Sequence, residues 1–182
     1  MMKLTGMRAN VPSKVAISSS ARPVRRTVSP QASLKVGDKA PAFSLKNQNG
    51  KTVKVEYGGL IGAKPTVVFF YPKDNTPGCT REAKAFEDAY AQIGKIAKVY
   101  GISSDDPESH SNFCSSLGLS YTLLSDEDGS VREKFGVPKD LFGLLPGRET
   151  YVIGKDGTVK GVFNNQFDPE KHVQFVIKAL EA

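Results

Sequence analysis

Between residues 66 and 71 the chain reads Thr66-Val67-Val68-Phe69-Phe70-Tyr71. A continuous β-branched and aromatic run of this length predicts a strand buried on both faces. Residues 72–78 are crowded with breakers, including Pro72, Pro77 and Gly78, and predict a loop. From about Cys79 the apolar spacing becomes helical, through Ala83, Phe86, Ala89, Tyr90 and Ile93, with Gly94 the expected end. A strand over 96–103 follows, then a helix over 107–117 capped by Asp106 and stopped by Gly118. A third strand is expected at 121–125 and a short helix at 129–135. Upstream, 42–46 and 52–56 read as strands about the turn Asn47-Gln48-Asn49-Gly50. The segment 58–64 is a glycine-containing turn; its spacing fails as a phosphate loop and it precedes a strand. Downstream, 150–153 and 158–163 form a hairpin about Asp156-Gly157. A helix over 168–182 keeps Val173, Val176, Ile177 and Leu180 on one face.

The order β-α-β-α-β followed by β-β-α predicts an α/β protein with a thioredoxin-like fold, three layers about a mixed central sheet. At 182 residues the chain holds one domain with a substantial core. No apolar run nears the ~20 residues of a membrane-spanning helix, so integral membrane association is not expected.

The net charge of +6 would suggest a nucleic-acid partner, but its location removes that reading. Residues 1–34 hold six of the 25 basic residues and no acid; the remaining nineteen balance the nineteen acids. The folded part is therefore formally neutral, and no nucleic acid is expected as partner. Residues 1–34 are rich in Ser, Arg, Lys and Ala without a long apolar stretch. They read as an organellar transit peptide rather than a secretory signal, with 35–182 as the domain. The hydroxyl-rich 18–20 and 27–33 favour the chloroplast over the mitochondrion; an untargeted basic tail is the alternative.

Two cysteines make neither a disulfide scaffold nor a four-cysteine zinc site, and His110 and His172 have no ligand spacing. No metal or cofactor is expected. The two isolated thiols are either buried bystanders or redox-active, and Cys79 stands after a buried strand at the first turn of a helix. There the free N–H groups and the helix dipole favour thiolate over thiol. A thiolate attacks a peroxide oxygen to give a sulfenic acid. Pro77 and Gly78 allow the tight turn, and Thr76 is expected to set a hydroxyl near the sulfur.

The spacing P-x-x-x-T-x-x-C, here Pro72, Thr76 and Cys79, resembles the active-site signature of the peroxiredoxins. The fuller string around it, with Thr80, Glu82 and Ala83 after the cysteine, is similar to their bacterioferritin-comigratory/Q branch. The resemblance runs from about Val36 to the end of the chain. It implies an antioxidant thiol peroxidase acting on hydrogen peroxide and organic hydroperoxides, with thioredoxin or a similar thiol reductant and commonly monomeric. Cys79 matches the peroxidatic cysteine, Thr76 the hydroxyl that positions the peroxide and Pro72 the ring that shields the pocket. Arg148 matches the arginine that holds the thiolate and polarises the O–O bond, a task suited to its fixed charge and planar fork. Glu82 looks like the acid that orients Arg148, or else a solvated helix-start acid.

One position departs from the pattern. Where many members carry a resolving cysteine, five residues after the first, this chain has Lys84. Cys114, on the second predicted helix, resembles the resolving thiol of other members. Otherwise it is a buried small hydrophobe and the enzyme uses one cysteine. His110, one turn earlier, either assists that thiol or is an ordinary helix-surface histidine, the second being the expected reading, and His172 carries no functional expectation. The apolar loop 141–147 forms either a collar at the pocket mouth or a packed loop. Two rival functions are a disulfide oxidoreductase and a non-catalytic adaptor. The first lacks its C-x-x-C, since Thr76 stands at the first position. The second has no need of Thr76, Cys79 and Arg148 together.

Overall fold

The computed structural model describes residues 32–58, 64–140 and 143–181. Residues 1–31 of the expected leader, most of the 58–64 turn, and Leu141 and Phe142 of the apolar loop lie outside them. The expected thioredoxin-like arrangement is present. Strands β1 (Phe43–Asn47), β2 (Thr52–Val55), β3 (Thr66–Phe70), β4 (Lys98–Ser103), β5 (Thr122–Ser125), β8 (Glu149–Ile153) and β9 (Val159–Asn164) build one sheet. Its order is β2-β1-β5-β4-β3-β8-β9. A two-stranded ladder, β6 (Lys139–Asp140) with β7 (Leu145–Pro146), stands apart. The helices are α1 (Pro77–Ile96), α2 (Pro107–Leu117), α3 (Ser130–Phe135) and α4 (Glu170–Glu181).

The long apolar run forms β3, and every one of its residues is buried. Successive side chains point to opposite faces. Val67, Phe69 and Tyr71 join α1, α2 and α4 in one core cluster. Val68 and Phe70 join α3 and the N-terminal segment in the other. Phe69 stacks on Phe86 of α1 at 4.2 Å between ring centroids. A Cβ at Gly101 of β4 would lie 2.6 Å from both the Phe69 ring and Leu123, which is why glycine occupies that central strand. Leu34 is buried in the second cluster, and its amide donates to the Phe135 carbonyl at 3.1 Å.

Asp106 caps α2 as expected, its carboxylate accepting from the Ser109 amide at 2.8 Å, and Gly118 ends it with φ 65°. Gly94 does not end α1. The helix runs on to Ile96: Gly94 does not take the positive φ of a stopping glycine, the Tyr90 ring packs beside it, and the Ala97 amide still reaches the Ile93 carbonyl before the chain turns extended. The strand expected from 96 accordingly begins at Lys98.

β3 pairs antiparallel with β8, Phe70 opposite Glu149. The C-terminal end of β3 therefore adjoins the N-terminal end of β8. The loop to Cys79 leaves one, and Arg148 enters the other.

Candidate active site

The loop from Pro72 to Thr76 bends at Asn75, whose φ of 59° is of the kind asparagine tolerates well. Pro77 occupies the first helical position, where a missing N–H does no harm. Cys79 follows in the first turn of α1, with 2% of its surface exposed. Nη2 of Arg148 donates to its Sγ at 3.4 Å. Gly78 permits this approach, since a Cβ there would sit 3.3 Å from Nη2.

Nη1 of Arg148 is bonded to Glu82 Oε2. Glu82 is fully buried in the second turn of α1, so the alternative of a solvated helix-start acid does not hold. Burial pushes its carboxyl up to about 8, further than Arg148 pulls it down. Burial opposes the charge on Arg148 as well, but Glu82 and Cys79 outweigh it and raise that group. The guanidinium is the firmer of the two charges. Arg148 Nε and Glu82 Oε1 are buried without hydrogen-bond partners among the described residues.

His172, with no expected role, stands behind this pair. Its Nδ1 lies 3.7 Å from Glu82 Oε1. Nε2 donates to the Asn165 carbonyl at 2.9 Å, leaving Nδ1 to accept from the Thr150 hydroxyl at 2.7 Å. Burial lowers its pKa to about 4, so the ring is neutral.

Arg132 of α3 was also invisible in the sequence. Asp126 accepts the Val131 and Arg132 amides at 3.0 and 2.8 Å, fixing the start of α3. The guanidinium then donates to the Tyr71 carbonyl at 2.7 Å and the Gly147 carbonyl at 2.6 Å, over the Phe70 ring. One side chain thus ties the loop of Pro72 to the strand entry of Arg148.

The Thr76 hydroxyl donates to the Lys73 carbonyl at 3.1 Å rather than to the sulfur, and it makes no helix cap. Pro72 is half-buried. A cavity of about 860 Å³ opens beside α3, lined by Arg132, Glu133 and Pro138 among others. Cys79 does not line it, and a peroxide group needs far less room.

His110 corrects an expectation: it is fully buried, not at the helix surface. α2 turns that face onto the sheet, and Asp74 supplies the polar partner burial requires, with Nδ1 2.8 Å from Oδ2. Cys114, on the same face, is 9% exposed and shares a core cluster with Cys79; both thiols are free. Burial first, then the charges of Asp74 and Glu87, push the Cys114 thiol up to about 11.

A buried helix-start thiol held by an arginine at the rim of a thioredoxin-like sheet defines a thiol-dependent oxidoreductase. The AhpC/TSA family model matches residues 36–162. Peroxiredoxin Q, chloroplastic, of Arabidopsis thaliana is 53% identical over 152 residues, covering 83% of this chain and 69% of that one. Its counterpart in Populus jackii is 46% identical over 178 residues, covering 97% and 81%. Among solved structures, peroxidoxin BcpB of Mycobacterium tuberculosis superposes with a TM-score of 0.72 at 34% identity, covering 81% of this chain and 97% of that one. The bacterioferritin comigratory protein of Xanthomonas campestris, described with alkyl peroxide reduction activity, gives 0.67 at 28% identity, covering 76% and 90%. The chain belongs to the AhpC/TSA family, as a peroxiredoxin of the Q type, and is a thiol peroxidase.

Proposed function

We propose that the chain reduces hydrogen peroxide and organic hydroperoxides through Cys79, and that Cys114 resolves the sulfenic acid so formed. The contact of one guanidinium with both Cys79 and Glu82 is the observation that carries this reading. The Cys79 thiolate attacks one peroxide oxygen; the S–O bond forms, the O–O bond breaks and RO⁻ leaves, taking a proton from water. Arg148 Nε lies on the same edge of the fork as Nη2 and has no acceptor among the described residues. It is the donor for the oxygen on which charge develops. The Thr76 hydroxyl turns from Lys73 to the bound peroxide, and the Pro72 ring limits water. Glu82 orients Arg148.

Thioredoxin, or a reductant of the same kind, recycles the disulfide. Leu144, 82% exposed, and Leu145 beside it put apolar surface on the segment that leads into Arg148, suited to a reductant or an organic peroxide. The chain works as a monomer in the plastid. The segment preceding the point where Leu34 joins the core serves as its transit peptide.

Peroxide consumption coupled to thioredoxin tests the reading. Cys79→Ser is expected to abolish turnover, and Cys114→Ser to stop thioredoxin-linked turnover after one equivalent of peroxide. Retained activity in Cys79→Ser would remove the mechanism, and full turnover in Cys114→Ser would make this a one-cysteine enzyme. Import into isolated chloroplasts without shortening of the chain would remove the transit assignment.

A further inference from the structure

We propose that Asp74 and His110 act together as the base that deprotonates Cys114 for its attack on oxidised Cys79. The inference rests on the resolving role proposed for Cys114.

Thiolates, not thiols, attack sulfur. A thiol pushed up to about 11 is ionised in only about one molecule in 10⁴ at neutral pH. Resolution therefore needs a proton acceptor near Cys114, and only two histidines are available. His172 has both ring nitrogens engaged, by Thr150 and Asn165. His110 has one free: Nε2 is buried without a hydrogen-bond partner among the described residues. Cys114 lies four residues further along the same helix, on the neighbouring turn of the same face.

The other nitrogen is held as a base requires. Nδ1 donates to Asp74 Oδ2 at 2.8 Å, leaving the Nε2 lone pair free. Asp74 is itself fixed, accepting from the Tyr71 hydroxyl at 2.7 Å and the Ser109 hydroxyl at 2.9 Å. Its amide donates to Asp105 Oδ2 at 2.9 Å. Burial opposes the Asp74 carboxylate, but His110, Tyr71 and Ser109 outweigh it and keep it ionised. A carboxylate that orients an imidazole and balances its positive charge on protonation is the general logic of an activated nucleophile. The titratable groups around the dyad are Tyr71 just after β3, Asp74 from the loop before α1, Asp105 from the loop before α2 and Cys114 from α2. Glu87 of α1 acts on the thiol.

The step balances without a further reagent. Nε2 takes the Cys114 proton, and the thiolate attacks the sulfur of Cys79–SOH. The S–S bond forms, the S–O bond breaks, and the departing hydroxide takes the proton from His110 as water. Cys79 is reduced from the sulfenic to the disulfide level as Cys114 is oxidised to it.

Rapid mixing with peroxide, acid quench and intact-mass analysis follow sulfenic acid and disulfide separately. Wild type, His110→Asn, Asp74→Asn and Cys114→Ser are compared between about pH 5.5 and 9. In His110→Asn, disulfide formation relative to sulfenic acid formation is expected to fall 10- to 100-fold at neutrality. Its rate should then climb about tenfold per pH unit as the thiol ionises unaided. In wild type the rate should level off, and Asp74→Asn should fall between them. Sulfenic acid formation reports in each variant that the fold around Cys79 is intact. An unchanged ratio in His110→Asn, or a slowing by the same factor at every pH, would overturn the dyad. A wild type whose sulfenic acid persists as in Cys114→Ser would instead overturn the resolving role, and the dyad with it.

Discussion

Arg148 touches the Cys79 sulfur and the Glu82 carboxyl with different nitrogens of one rigid fork. Moving either partner therefore moves the guanidinium, which is the donor to the peroxide in the proposed mechanism. Replacing Arg148 by Met should leave Cys79 in place and remove that donor. We expect kcat/KM for hydrogen peroxide to fall about 10²- to 10³-fold, the scale for loss of one preorganised donor. Steady-state peroxidase kinetics check this.

Glu82 separates orientation from charge. Glu82→Ala strands a buried guanidinium and should cost about 3–5 kcal/mol of stability. Glu82→Gln keeps an acceptor oxygen for Nη1 and resembles the neutral acid towards which burial drives this side chain. It should stay within about tenfold of wild-type kcat/KM and be clearly the more stable variant. Urea titration with kinetics on both gives the order; the reverse order would deny Glu82 its orienting part.

His172 makes stability pH-dependent in a definite direction. Its pKa is depressed from 6.5 to about 4 in the folded protein. Between those values the unfolded chain binds a proton that the native state refuses, so stability is complete above 6.5 and declines as pH falls towards 4. The decline attributable to this residue approaches about 3 kcal/mol. Urea unfolding at several pH values should show a shallower acid slope in His172→Gln than in wild type.

Gly147 precedes Arg148, and a Cβ there would collide with the Pro138 carbonyl oxygen. Gly147→Ala must displace either the β6–β7 ladder or the entry of β8, and its carbonyl is also an anchor of Arg132. The substitution should cost about 1–3 kcal/mol and lower peroxidase activity although it touches neither sulfur nor peroxide. Thermal unfolding and kinetics on one preparation measure both effects.

β3 was legible because burial on both faces removes alternation. The thiol after it was legible through the spacing of Pro72, Thr76 and Cys79, since many cysteines at a helix start are merely buried. Arg148 was legible only through the resemblance. The polar partners were not, since a lone histidine reads alike whether an acid faces it or water does. Asp74 lies 36 residues before His110 in the chain, and Glu82 lies on a different helix from His172. A signal for burial was nonetheless present. His110 shares its helix face with Phe113, Cys114 and Leu117, and His172 is four residues before Val176, so both stripes were already turned inward. Gly94 misled because a glycine that stops a helix and one shielded by the previous turn's ring look identical in sequence. Arg132 bonds only main-chain carbonyls, which have no side-chain identity to reveal them.

The pairing of Phe70 with Glu149 has a consequence for how such enzymes diverge. The Cys79 and Arg148 segments are aligned by ladder bonds between adjacent strands, not by the length of polypeptide joining them. Homologues are thereby free to gain or lose residues throughout the intervening excursion while reactivity is kept. A single added residue inside either paired segment is a different matter, because it turns every following side chain to the opposite face.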